Sequence, residues 1–220
     1  FINFGMIINI KYHKIKYLIL VISLVVFISF SVSAVNYGGS LKIKANLRPI
    51  TFNPIYALDK TALKVNSQIF EGLITYDEKG NLIPLLAESW EINRDASVFI
   101  FNLKENIHFQ SISKNQGREV RAKDWKFSFE YLADPQNKSP YAHLLEKVKG
   151  YDNYRSGSDS EITGITVVDQ YSLKIELDES FYPFIYNFLE PALAVMHEED
   201  LINENKNFAL NPVGTVAFYL

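Results

Sequence analysis

The run Val98-Phe-Ile-Phe101 constrains this chain more than any other stretch. Successive side chains of a strand point to opposite faces, so four apolar residues in a row load both faces with large groups. Such a strand belongs inside a sheet that other elements cover. Trp90–Asn93 and Ser97–Leu103 read as two strands joined by the polar turn Arg94-Asp95-Ala96. The chain can supply the cover. Of its 220 residues, 48% are hydrophobic and 21% charged, the balance of a folded globular protein. Its 16 Phe and 13 Tyr serve core packing first, with some rings left for a binding surface.

Periodicity places the other elements. Leu41–Asn46 alternates apolar and polar, as a half-buried strand does. Pro49 and Asn53-Pro54 break the pattern, so residues 48–58 read as loop. Asp59 can cap a helix over Thr61–Phe70, with Leu63, Asn66 and Phe70 on one side and Gly72 at its end. A strand at 73–76, a turn at Asp77–Gly80 and one helical turn over Leu85–Ser89 follow. Ile107–Phe109 reads as a short strand and 110–120 as a surface loop.

Trp125, Phe129 and Leu132 recur at helical spacing, which predicts a helix over 122–133 that Asp134-Pro135 stops. Tyr141–Val148 reads as a second helix and Tyr151–Glu161 as loop. A hairpin turns at Asp169-Gln170, Tyr182–Leu189 is a short helix, Ala192–Met196 a strand, and 197–207 helical or irregular. Strands in hairpins mixed with helices indicate a mixed α/β or α+β domain.

The N-terminus carries an address. Lys11, Lys14 and Lys16 precede a 14-residue apolar run, Tyr17–Phe30, and then Ser31-Val32-Ser33-Ala34. Small residues stand at the −3 and −1 positions of a cleavage after Ala34, the pattern of a secretory signal. A membrane-spanning helix needs about 20 residues, more than this run offers. Residues 1–34 are therefore expected to be a leader, with residues 1–5 upstream of the true start at Met6. Without those three lysines, 19 basic residues face 25 acidic ones. That mildly acidic balance gives no footprint for nucleic acid. Cys is absent, so a disulfide, a thiolate metal site and a lipidated N-terminal Cys are all excluded.

Catalytic constellations are missing. His108, His143 and His197 form no zinc spacing, and there is no phosphate loop, dinucleotide fingerprint or nucleophile elbow. Glu198-Glu199-Asp200 reads as solvated surface, not an acid–base pair.

A set of short stretches occurs in a recognisable order: Thr51-Phe-Asn-Pro54, Phe70-Glu-Gly-Leu73 and Leu86-Ala-Glu-Ser-Trp90. Ile107-x-Phe109, Ala122-x-Asp124-Trp125, Asp134-Pro135, Ser139-Pro-Tyr-Ala142 and Pro212-Val-Gly-Thr215 follow. In these the chain resembles the extracytoplasmic solute-binding proteins of the peptide/nickel class (family 5) that serve ABC transporters. The resemblance implies the first lobe of a two-lobed, hinged fold of the periplasmic-binding-protein type II kind, truncated. Residues 35–76 would start its base domain, 77–210 form an inserted domain, and 211–220 begin the return.

It further implies a periplasmic, monomeric, non-enzymatic receptor that hands peptides or another small solute to an inner-membrane permease. No cofactor is implied. A lone lobe offers half the contacts, so weak peptide binding is expected of it. A degraded remnant of such a gene and a single-lobe envelope interaction or sensor module are the rival readings.

Two carry-overs concern ligand. In peptide binders a segment after Asn53-Pro54 pairs with the ligand backbone, and an acidic side chain meets its amino terminus. The ungapped match puts Leu58 at the acidic position; Asp59 serves with a one-residue shift, or is only the helix cap. Tyr141 matches a cleft tyrosine, or is a packed tyrosine at a helix start. Two departures stand out. Asn53 replaces the usual Asp, which puts a structural hydrogen bond in question, and Val216 stands where Gly is usual, where a positive φ would be strained.

Overall fold

The computed structural model describes residue 20 and residues 49–110, 117–202 and 212–216. The chain divides into two compact units, Phe1–Lys44 and Ala45–Leu220. The leader apart from residue 20, the strand expected at 41–46, residues 111–116 and 203–211, and residues 217–220 of the expected return lie outside the described residues. Among the described residues no helix is long and apolar enough to cross a membrane.

The second unit is built on a four-stranded antiparallel sheet. Its strands are β3 (Ala87–Ile92), β4 (Val98–Leu103), β5 (Ile165–Asp169) and β6 (Ser172–Glu176), in the order β3-β4-β6-β5. A separate hairpin pairs β1 (Ile74–Tyr76) with β2 (Leu82–Pro84). Helices are α1 (Lys60–Asn66), α2 (Ala122–Ala133), α3 (Tyr151–Ser156) and α4 (Glu198–Leu201). Pro54–Tyr56, Ala142–Leu145, Tyr182–Leu189 and Pro191–Leu193 form 3-10 turns.

Register decides which side is core. Phe99 pairs with Ile175 and Phe101 with Leu173, so these four share a face, and all are fully buried. Ile100 pairs with Lys174 on the other face, which is only half covered. The strand expected to be buried on both sides therefore has one closed face. Trp125, Phe129 and Leu132 of α2 close it together with Phe184 and Phe188, all buried. Ring centroids lie 4.9 Å apart for Phe101–Phe188, 5.5 Å for Phe99–Phe184 and 5.8 Å for Phe129–Phe188. Burying each such ring is worth about 1.5–3 kcal/mol, so this stack dominates the local energetics.

Several elements differ from the sequence reading. Leu85–Ser89 is not helical; β3 begins at Ala87, with a bulge between Ala87 and Ser89. The bulge breaks strand alternation, leaving Leu86, Ala87 and Trp90 at a helix-like spacing. Ala192–Met196 is not a strand. Pro191 opens a 3-10 turn, and Ala194–Met196 runs buried through the core, with Val195 N–H donating to Glu71 C=O at 3.2 Å. An apolar run covered on all sides cannot reveal its own backbone state.

Within Tyr151–Glu161, read as loop, α3 is bounded by Gly150 and Gly157, with φ of 80° and 79°. Tyr141–Val148 holds only the 3-10 turn Ala142–Leu145. Helix α1 stops at Asn66, capped by Ser67, well before Gly72. Ile107–Phe109 contributes a single bridge, His108 to Glu119.

The acidic run near residue 200 is not solvated surface. Asp200 is buried and lies 3.2 Å from His197 Nδ1, while Glu199 pairs with Arg118. His197 itself packs edge-on against Phe109, 4.7 Å between centroids. Val216 avoids the strain its position threatened: among the described residues only Ala96, Asn106 and Lys138 combine a side chain with positive φ.

Candidate functional site

The segment that carries Leu58 and Asp59 is shaped first by its own sequence. Pro54 sits at the start of the 3-10 turn, where its missing N–H costs nothing. Asn53 Oδ1 accepts Ile55 N–H at 3.2 Å, so the amide supplies the acceptor that an Asp would. The chain then extends through Ala57 (φ −77°, ψ 96°) and Asp59 (φ −88°, ψ 149°). Asp59 Oδ1 accepts Thr61 N–H at 3.0 Å and Ala62 N–H at 2.8 Å, which starts α1. The Ala62 N–H bond leads the effects that hold this carboxyl below its usual range, so it stays ionised.

A second segment, at the end of α2, grips the first. Asp134-Pro135 ends the helix, Asp134 Oδ1 accepts Gln136 N–H at 2.8 Å, and Lys138 turns the chain with φ 49°. Three hydrogen bonds then cross between segments. Tyr56 Oη donates to Asn137 C=O at 2.7 Å, Ser139 Oγ to Ile55 C=O at 2.8 Å, and Tyr141 Oη to Ala57 C=O at 2.7 Å. Burial pushes both phenols upward, with the negative charge of Asp134 adding at Tyr56 and that of Glu190 at Tyr141. Both remain protonated donors at neutral pH. Ile55 and Ala57 are fully buried, so their carbonyls need these partners.

Leu58 is the exception in this tied-down stretch. The residue is 68% exposed, and among the described residues its N–H and C=O make no hydrogen bond. A residue with an open donor and acceptor, between two pinned and extended neighbours, presents one edge position for an added strand. Of the three residues singled out from the sequence, Leu58 offers main chain, Asp59 a carboxylate that also caps α1, and Tyr141 a hydroxyl already engaged. The structure joins Tyr141 to the Leu58 loop and leaves the region open to solvent on the Leu58 side. Sequence reasoning gave no site role to Tyr56, Asn137 or Ser139. Their bonds span 81 to 84 residues, and the local traces were the Asp-Pro stop that releases the chain after α2 and the Ser139-Pro-Tyr-Ala142 stretch.

Comparison with known proteins gives the context. Residues 81–220 match the family of bacterial extracellular solute-binding proteins, family 5, middle part. The chain is 32% identical over 141 residues to the periplasmic murein peptide-binding protein MppA of Escherichia coli, covering 62% of this chain and 25% of that protein. It is 33% identical over 128 residues to the periplasmic oligopeptide-binding protein OppA of Salmonella typhimurium, covering 57% and 22%. The chain thus spans about a quarter of the length of these curated relatives. The structure of the Escherichia coli murein tripeptide-binding protein MppA superposes with a TM-score of 0.69 at 26% identity, covering 78% of this chain and 33% of that one. On the fold and the matched residues, the chain belongs to the family 5 bacterial extracellular solute-binding proteins.

Proposed function

We propose that this chain forms part of the first lobe of a periplasmic receptor that captures peptides and delivers them to an ABC permease, without chemistry of its own. The observation that carries this reading is the unpaired main chain of Leu58, set between a buried Ala57 and a capping Asp59 that are both extended. Main-chain pairing grips any peptide regardless of side chains, which suits a receptor of broad specificity. The peptide-binding names of MppA and OppA support the same ligand class. On this reading residues 1–34 are a cleaved export leader, 35–76 begin the base domain, 77–210 form the inserted domain and 211–220 start the return. The Asp59 carboxylate would meet the ligand's amino terminus, beyond its work as a cap.

Calorimetry of the whole two-lobed receptor with a pool of di- to pentapeptides tests the proposal; micromolar binding is expected of it, and much weaker binding of the 220-residue chain alone. Leu58→Pro deletes an N–H that no internal group uses, and Ala57 already has the extended backbone that a following Pro demands. It should weaken binding by about tenfold, one lost hydrogen bond, with the unfolding midpoint unchanged. Asp59→Asn keeps a good N-cap and removes the charge, so it should weaken binding while α1 stays intact. Failure of the wild-type protein to bind any peptide of the pool would end this reading.

A further inference from the structure

We infer that Ser139 and Tyr141 are positioning residues, whose hydroxyls set the main-chain shape around Leu58 and do not touch the ligand. The purpose of this device rests on the peptide reading above; its existence does not. The two donors stand two residues apart, and so do the two carbonyls they take, Ile55 and Ala57. Ile55 lies in the 3-10 turn Pro54–Tyr56 and Tyr141 (φ −95°, ψ 0°) leads into the turn Ala142–Leu145, so each hydroxyl reaches its carbonyl from one turn to the other. Ser139 Oγ also accepts Tyr141 N–H at 3.2 Å, which fixes one donor relative to the other. Ser139 is itself buried, and Lys138 enters it with a left-handed backbone, so the latch has a rigid mount.

A Tyr141 hydroxyl that turned toward a ligand would abandon the carbonyl of a fully buried Ala57. The far side of Leu58 is fixed independently by the two Asp59 cap bonds. Leu58 is thus pre-shaped from both sides, and a ligand strand would meet a receptor edge whose ordering cost is already met in folding. This assigns Tyr141 a role different from the ligand contact that resemblance alone suggests.

Hydrogen exchange and calorimetry on the full-length gene product, with Tyr141→Phe and Ser139→Ala, test the assignment. Without ligand, the Tyr56 and Ala57 amides should exchange roughly five- to tenfold faster in each variant, the factor one net hydrogen bond corresponds to. Amides of α2 and β4 should keep wild-type rates, which a general loss of stability would not allow. Affinity for the peptide pool should fall by a similar factor. Tyr56→Phe, which removes the solvent-exposed bond, should have a smaller effect on both readouts.

Weaker binding by Tyr141→Phe with unchanged exchange would mean direct ligand contact and would overturn the inference. Faster exchange with unchanged affinity would overturn the positioning role while the peptide reading survived. If the wild-type protein binds no peptide, the peptide reading fails, and the latch stands or falls on exchange alone.

Discussion

Arg118 grips Asp124 with two nitrogens, Nη1 2.9 Å from Oδ2 and Nη2 2.9 Å from Oδ1. The Asp124 side chain has no solvent exposure, and its Oδ2 also accepts Arg121 N–H at 2.8 Å at the start of α2. The same guanidinium reaches Glu199 at 2.8 Å and lies over the Phe109 ring at 5.0 Å. One side chain therefore ties the entry of α2 to α4.

Removing that cation should be expensive. Arg118→Met leaves a buried carboxylate without its partner, a change that costs about 3–5 kcal/mol in comparable settings. Urea unfolding measures it. A loss below about 1 kcal/mol would mean that Asp124 is neutralised or hydrated in some other way.

The cluster also sets an acid limit. Its hydrogen bond to Arg118 lowers the Glu199 carboxyl to about 2, below its unfolded value of 4.5. The unfolded chain therefore takes up this proton first, and the contribution of Glu199 is complete above pH 4.5 and fades as pH falls toward 2. Burial lowers His197 as well, so the folded form resists its proton and stability also declines as pH drops below 6.5. Glu199 is half exposed, so its share should not exceed about 1 kcal/mol. In urea titrations at several pH values, Glu199→Gln should flatten the slope between pH 4.5 and 2; an unaltered slope there would contradict the pairing.

Ser128 works in the core as both donor and acceptor. Its Oγ donates to Asp124 C=O at 2.6 Å and accepts Met196 N–H at 2.9 Å. Ser128→Ala strands a buried amide and should cost about 1–3 kcal/mol in thermal or urea unfolding. A neutral result would imply that Met196 finds another acceptor.

Gly214 lets two backbones touch. A Cβ there would lie 1.8 Å from the Ile69 carbonyl oxygen, the same atom that accepts Thr215 N–H at 3.0 Å. Gly214→Ala should detach residues 212–216 and abolish exchange protection of the Thr215 amide, with α2 unaffected. Retained protection at Thr215 would show that Ile69 can give way.

Sequence alone determined the elements whose signals are local. The 3.6-residue spacing of Trp125, Phe129 and Leu132 specified α2, the polar turns fixed the hairpins, and Asp59 announced the start of α1. Family membership was legible for the same reason, since its marks are short contiguous motifs. Tertiary structure decided the rest. The bulge at Ala87–Ser89, the burial of Asp200 and the latch from Ser139 and Tyr141 onto Ile55 and Ala57 depend on partners far away in the chain. Only when those groups are brought together does it become clear that Tyr141 is occupied and Leu58 is open, because a hydrogen bond's availability belongs to the pair and not to either residue.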